Sequence, residues 1–190
     1  MDPLTAVGWI PKIFNSAMSF LGRPRVVFEF EYGLEVLNEN AYCHYRLHVG
    51  QSRTPGWFIR LGVRNRGTIP VLNSDVRVEK IEVLDGQGNS RSFFSTPFFL
   101  HWANENTDNS RHLYPDTPVY VDLVYTIEGR EEAFIFSKGK HARAGIATRM
   151  PVGTYIFHIK LLGPNIQPVN QKVKVEVNGR WDGIKVELLK

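Results

Sequence analysis

From Val26 onward, apolar and polar residues alternate with a period of two. Val26, Phe28, Phe30 and Tyr32 alternate with Val27, Glu29 and Glu31, and Ala41, Cys43, Tyr45, Leu47 and Val49 alternate with Tyr42, His44, Arg46 and His48. Successive side chains of a strand point to opposite faces, so each run predicts a strand with one buried face. Asn38, Glu39 and Asn40 between the two runs suit a hairpin loop. In the next strand Trp57, Ile59, Leu61 and Val63 share the core face, opposite Phe58, Arg60, Gly62 and Arg64. The alternation then slips by one residue near Glu79 and Lys80, between Val76 and Val78 on one side and Ile81 and Val83 on the other, which predicts a β-bulge. Further strands are predicted at 91–95, 118–127, 132–137, 154–162, 171–177 and 183–189, with turn signals such as Asp85 to Asn89 between them. No second helical period interrupts this series, so an antiparallel sandwich is expected rather than βαβ units.

The first 25 residues differ. Between Pro3 and Gly22 the only charge is Lys12, which suggests a signal peptide or a membrane span. Asp2 near the start and the interruptions at Pro11, Lys12, Asn15 and Ser16 argue against both. What remains is an amphipathic helix near residues 11–21, with Pro11 in its first turn and Gly22 past its end. Its apolar stripe of Ile13, Phe14, Ala17, Met18 and Leu21 must be covered by the protein's own body, by a partner or second copy, or by a membrane interface. Arg23, Pro24 and Arg25 form a short stiff link to the first strand, which favours a helix that projects and assembles. The organisation expected is a helical segment over 1–25 followed by a single sandwich domain over 26–190.

Two motifs carry a family resemblance. The run WFIRLGVRNRG from Trp57 to Gly67 resembles the strand and turn of bacterial immunoglobulin-like sandwich domains, in which an alternating strand ends in Val, any residue, Asn, any residue, Gly. Gly153, Thr154 and Tyr155, opening the strand YIFHIKLLG, resemble the start of a late strand in the same group. The Cys, Trp, Cys arrangement of antibody domains is missing. The resemblance implies a fold and no activity; members of the group mostly bind other molecules or space other domains.

Composition adds limits. A chain of 190 residues with 43 % hydrophobic and 22 % charged residues belongs to the ordinary folded class, which excludes disordered and low-complexity proteins. The lone Cys43 cannot form an intrachain disulfide or a thiolate metal cluster, so a reducing cytoplasm is the expected location. A net charge of +4 is too small to imply nucleic acid by itself.

Three places offer candidate chemistry. His44, Arg46 and His48 alternate along one strand face, about 6.5 to 7 Å apart, a spacing that suits a metal or a phosphate; the competing reading is a solvated face. The loop from Ser95 to Pro118 is expected to be the longest unstructured stretch, with His101, Trp102, Arg111, His112 and Tyr114 as candidate binding residues and Asn104, Glu105, Asp108 and Asp116 beside them. The alternative for this loop is that Phe98, Phe99, Leu100 and Trp102 cap the core. The basic loop 138–149 carries Lys138, Lys140, Arg143 and Arg149 and no acid, which suits anion binding through charge alone, with Arg60 and Arg64 joining if their strand face is exposed. No nucleophile elbow, P-loop or metal-ligand motif occurs, so no catalytic residue, metal or cofactor is assigned. The function expected is a non-catalytic binding or assembly module that meets a protein partner, or a second copy, through Ile13, Phe14, Met18 and Leu21 and through its long loops. The alternative is an anion or nucleic-acid binder using the basic loop, and a hydrolase or metal-dependent enzyme is third.

Overall fold

The computed structural model describes residues 22–30, 42–49, 52–103, 109–135, 137 and 148–190, with the backbone alone for 42–49, 52–55 and 148. Its strands in chain order are β1 (Val26–Glu29), β2 (Tyr42–Val49), β3 (Ser52–Asn65), β4 (Val71–Leu84), β5 (Ser90–Phe94), β6 (Phe98–Phe99), β7 (His101–Trp102), β8 (Arg111–Leu113), β9 (Pro118–Ile127), β10 (Ala133–Ile135), β11 (Thr148–Met150), β12 (Gly153–Leu162), β13 (Val169–Val177) and β14 (Lys185–Leu189). They form two antiparallel sheets. In the first, the order is β1-β3-β9-β10-β11, with β2 also on β3 and β7 also on β9; in the second it is β14-β13-β12-β4-β5, with β6 and β8 also on β4. Among the described residues there is no α-helix, and none long and apolar enough to cross a membrane. The expected N-terminal helix, with Ile13, Phe14, Met18 and Leu21, lies outside the described residues, as does the hairpin loop at 38–40.

The alternation read along the chain is the alternation of burial. Ile59, Leu61 and Val63 of β3 and Val119, Val121 and Leu123 of β9 meet Val76, Val78 and Ile81 of β4, Phe157, Ile159 and Leu161 of β12 and Val173 and Val175 of β13 in one core. Burying large aliphatic and aromatic side chains contributes roughly 1.5 to 3 kcal/mol each, so this shared core holds the sheets together. Trp57 of β3 stacks on Trp181, in the turn between β13 and β14, with ring centroids 6.2 Å apart, and so joins the two sheets at one end.

The predicted slip in β4 is present: His158 pairs with Lys80 but Ile159 pairs with Val78, which leaves Glu79 as the extra residue. A second bulge escaped the sequence reading. Ile59 pairs with Val124 and Arg60 with Asp122, so Leu123 is extra in β9, and Leu123 and Val124 are both buried.

The described parts of the stretch from Ser95 to Pro118, residues 95–103 and 109–118, are more ordered than expected, and Asn104, Glu105 and Asp108 lie outside the described residues. The stretch contains β6, β7 and β8, and the chain changes sheets within it, since Arg77 and Val78 of β4 pair with β6 whereas Val121 and Asp122 of β9 pair with β7. Leu100 at the crossing is fully buried. Such short strands carry too few residues for a period to be visible.

Candidate functional site

The face of the first sheet turned away from the core gathers most of its chemistry-bearing side chains. Because Arg60 and His101 both pair with Asp122, one from each side, β3, β9 and β7 place the three residues in a single row across the sheet. The Arg60 Nε–H donates to Asp122 Oδ1 at 2.8 Å, and its guanidinium lies 5.9 Å from the centre of the Phe58 ring. Arg60 is only 3 % exposed and Asp122 9 %. Burial pushes the Asp122 carboxyl above its ordinary 3.8, opposed by the charges of Arg60 and His101. His101 Nε2 lies 3.1 Å from the Ser137 carbonyl oxygen.

Aromatic and ionic rows flank this one. Phe58, Tyr125 and Phe134 occupy facing positions on β3, β9 and β10, with Tyr125 stacked 5.2 Å from Phe134. Burial raises the Tyr125 hydroxyl pKa. On the other side, Glu29 of β1 accepts from Arg64 Nε at 3.0 Å and from Arg66 at 2.6 Å. Arg60 and Arg64 are therefore ion-paired with the sheet's own carboxylates.

Other candidates from the long loop lie elsewhere. Trp102, expected among the binding residues, is fully buried in the core, and its indole N–H has no hydrogen-bond partner among the described residues. The alternative reading of that stretch as a core cap describes Trp102 and Leu100. Arg111, His112 and Tyr114 lie on or beside β8 at the edge of the second sheet, apart from the Asp122 row. There the Asn73 N–H donates to His112 Nδ1 at 3.0 Å, and the His112 and Tyr114 rings meet edge to face at 6.5 Å. Tyr114 is 58 % exposed and Leu72 44 %. Asn73 and Asp116 hold this corner with φ of 43° and 55°, left-handed values that Asn and Asp tolerate better than most residues.

A buried polar residue under this corner ties it to the fold, and sequence reasoning assigned it no role of its own. Asn65, at the end of β3, accepts from the N–H groups of Arg25 (3.2 Å) and Gly67 (2.9 Å) and donates to the carbonyls of Ile69 (2.7 Å) and Leu113 (3.1 Å). Its own carbonyl accepts from the Asp116 N–H. Gly67 is required beside it, because a Cβ there would lie 2.1 Å from the Arg23 carbonyl oxygen. The only available signal was the Val63, Asn65, Gly67 spacing.

The remaining candidates are only partly visible. Lys138, Lys140 and Arg143 lie outside the described residues, while Arg149 is exposed on β11 and paired with Glu132, whose carboxyl it lowers. The side chains of His44, Arg46 and His48 on β2 lie outside the description. Among the described residues, no group of three His, Cys, Asp or Glu side chains is placed to hold a metal ion. Comparison with protein-family models, with curated proteins and with solved structures finds no match to this chain.

Proposed function

We propose that the chain is a non-catalytic binding module on an immunoglobulin-like sandwich. Supporting the fold, β3 pairs with β9 in one sheet while β13, β12, β4 and β5 follow one another in the other, the order in which immunoglobulin strands B and E, and G, F, C and C′, are arranged. Tyr155, near the start of β12 in the place of strand F, donates its hydroxyl to the Pro151 carbonyl oxygen at 2.8 Å, in the manner of a tyrosine corner.

One observation carries the functional reading: Leu72, His112 and Tyr114 are presented together on hydrogen-bonded backbone at the end of the sandwich. Asn165, between β12 and β13, clamps this end by accepting from the Leu72 N–H at 3.0 Å and donating to the Pro70 carbonyl oxygen at 2.9 Å. In variable domains the corresponding B–C and F–G loops bind ligand. An exposed tyrosine on a rigid support supplies contact area at small entropic cost.

Panning a displayed peptide library on the folded full chain tests this. The expected result is enrichment of binders that are lost on a Leu72→Ser/Tyr114→Ser variant with unchanged melting temperature. If no enriched binder responds to that variant, the reading is wrong. The stripe of Ile13, Phe14, Met18 and Leu21 is the proposed assembly element. Light scattering on the full chain and on residues 22–190 should then show loss of association with an unchanged melting temperature.

A further inference from the structure

The outward face of the second sheet holds a different feature. Lys80 of β4, His158 of β12 and Lys172 of β13 pair directly across three adjacent strands, and Arg77, Lys160 and Asn170 do the same in a neighbouring row. Neighbouring strands are about 4.8 Å apart, and like charges directly opposite one another destabilise a sheet. Two carboxylates offset part of this. Glu79, turned outward by the bulge, accepts from Arg77 at 2.7 Å and lies 3.3 Å from Lys160, while Glu82 lies 2.6 Å from Lys80 and 2.8 Å from His158. Lys172 is exposed and has no acidic partner among the described residues, and the Asn170 amide beside it is also unpaired.

Lys80, His158, Lys160, Asn170, Lys172 and Glu79 line an open depression of about 640 Å³, with Leu189 and the lysine stems supplying apolar surface. A smaller depression on the same sheet, about 240 Å³, makes an internal control: its Lys174 is paired with both Glu176 and Glu187. Charge is matched in the small depression and left in excess in the large one. Among the described residues no Phe, Tyr or Trp side chain lines the large one, and its His158 ring is held 2.8 Å from Glu82, which disfavours stacking of nucleic-acid bases there.

We propose that this depression binds a small ligand carrying several phosphate or sulfate groups, held by Lys80, Lys160, Lys172 and the Asn170 amide. Each ammonium donates to an anionic oxygen, and the ligand supplies the charge that the facing cations lack. The site is separate from the Tyr114 end and stands or falls independently of it.

Calorimetric titration of the full chain with tripolyphosphate at about 20 mM salt tests the proposal. One saturable site is expected, weakening as salt rises. Lys172→Gln, an exposed substitution, should reduce affinity about tenfold, the loss of roughly one charge-assisted contact. Lys185→Gln, beside the balanced depression, should leave affinity unchanged. A parallel titration with a sulfated disaccharide identifies the natural group, since the ligand whose binding depends more strongly on Lys172 is the one the site fits. Absence of saturable binding by both ligands overturns the proposal, as does binding that Lys172→Gln leaves intact. A single-stranded oligonucleotide that binds more tightly through Lys172 than either anion would also overturn it, in favour of nucleic acid.

Discussion

Asn65 uses its full side-chain hydrogen-bonding capacity inside the protein, with two backbone donors and two backbone acceptors. Asn65→Ala strands these groups away from water, and each unmet buried bond costs about 1 to 3 kcal/mol. The expected loss is about 3 kcal/mol, read as a lower denaturant midpoint at constant slope; a change under about 1 kcal/mol would mean that water replaces the amide. The Arg60 and Asp122 pair sets a second test. The guanidinium cannot shed its proton, so Asp122→Ala removes the carboxylate 2.8 Å from a buried cation and should cost about 3 to 5 kcal/mol. Replacing both, as Arg60→Met/Asp122→Leu, should recover most of that loss. A double variant as unstable as the single one would show that the pair stabilises the fold beyond the cost of an orphaned charge.

Among the elements, β4 shows how one extra residue reorganises a surface. The bulge lets Lys80 and Glu79 both face outward while Val78 and Ile81 stay in the core. Hydrogen bonding from Arg77 lowers the Glu79 carboxyl below its ordinary 4.5, and that from Lys80 does the same for Glu82, with Lys160 and His158 assisting. A carboxyl lowered in the folded state stabilises the fold above its unfolded value and loses that contribution as pH falls through the folded value. Melting temperature at low salt should therefore drop as pH is lowered through and below 4.5, and Glu79→Gln/Glu82→Gln should flatten that part of the profile. Both carboxylates are half-buried on an open sheet face that solvent and salt reach, so the effect is small and fades in high salt. An identical acid profile in the double variant would assign the acid sensitivity to other groups.

At the scale of the whole molecule, the Trp57 and Trp181 stack joins the sheets across their open end. Trp181→Ala should lower the melting temperature and reduce the near-ultraviolet circular dichroism of the coupled indoles. An unchanged spectrum would show that the rings do not hold this geometry in solution. Local pattern determined the longer strands, the core faces of β3 and β4 and the slip at Glu79, because a period of two is written in neighbouring residues whatever they pair with, whereas β6, β7, β8 and β11 are too short to show one. It could not supply the change of sheet around Leu100, the Leu123 bulge or the split of His101 from His112 and Tyr114. Nor could it reveal that β3 buries Arg60 on the face opposite Leu61. Arg60 meets Asp122 across 62 residues and Asn65 meets Leu113 across 48, so their burial and bonding exist only once distant strands pair. Alternation tells which side of a strand avoids water, and the tertiary structure decides which strands meet and what their polar sides find there.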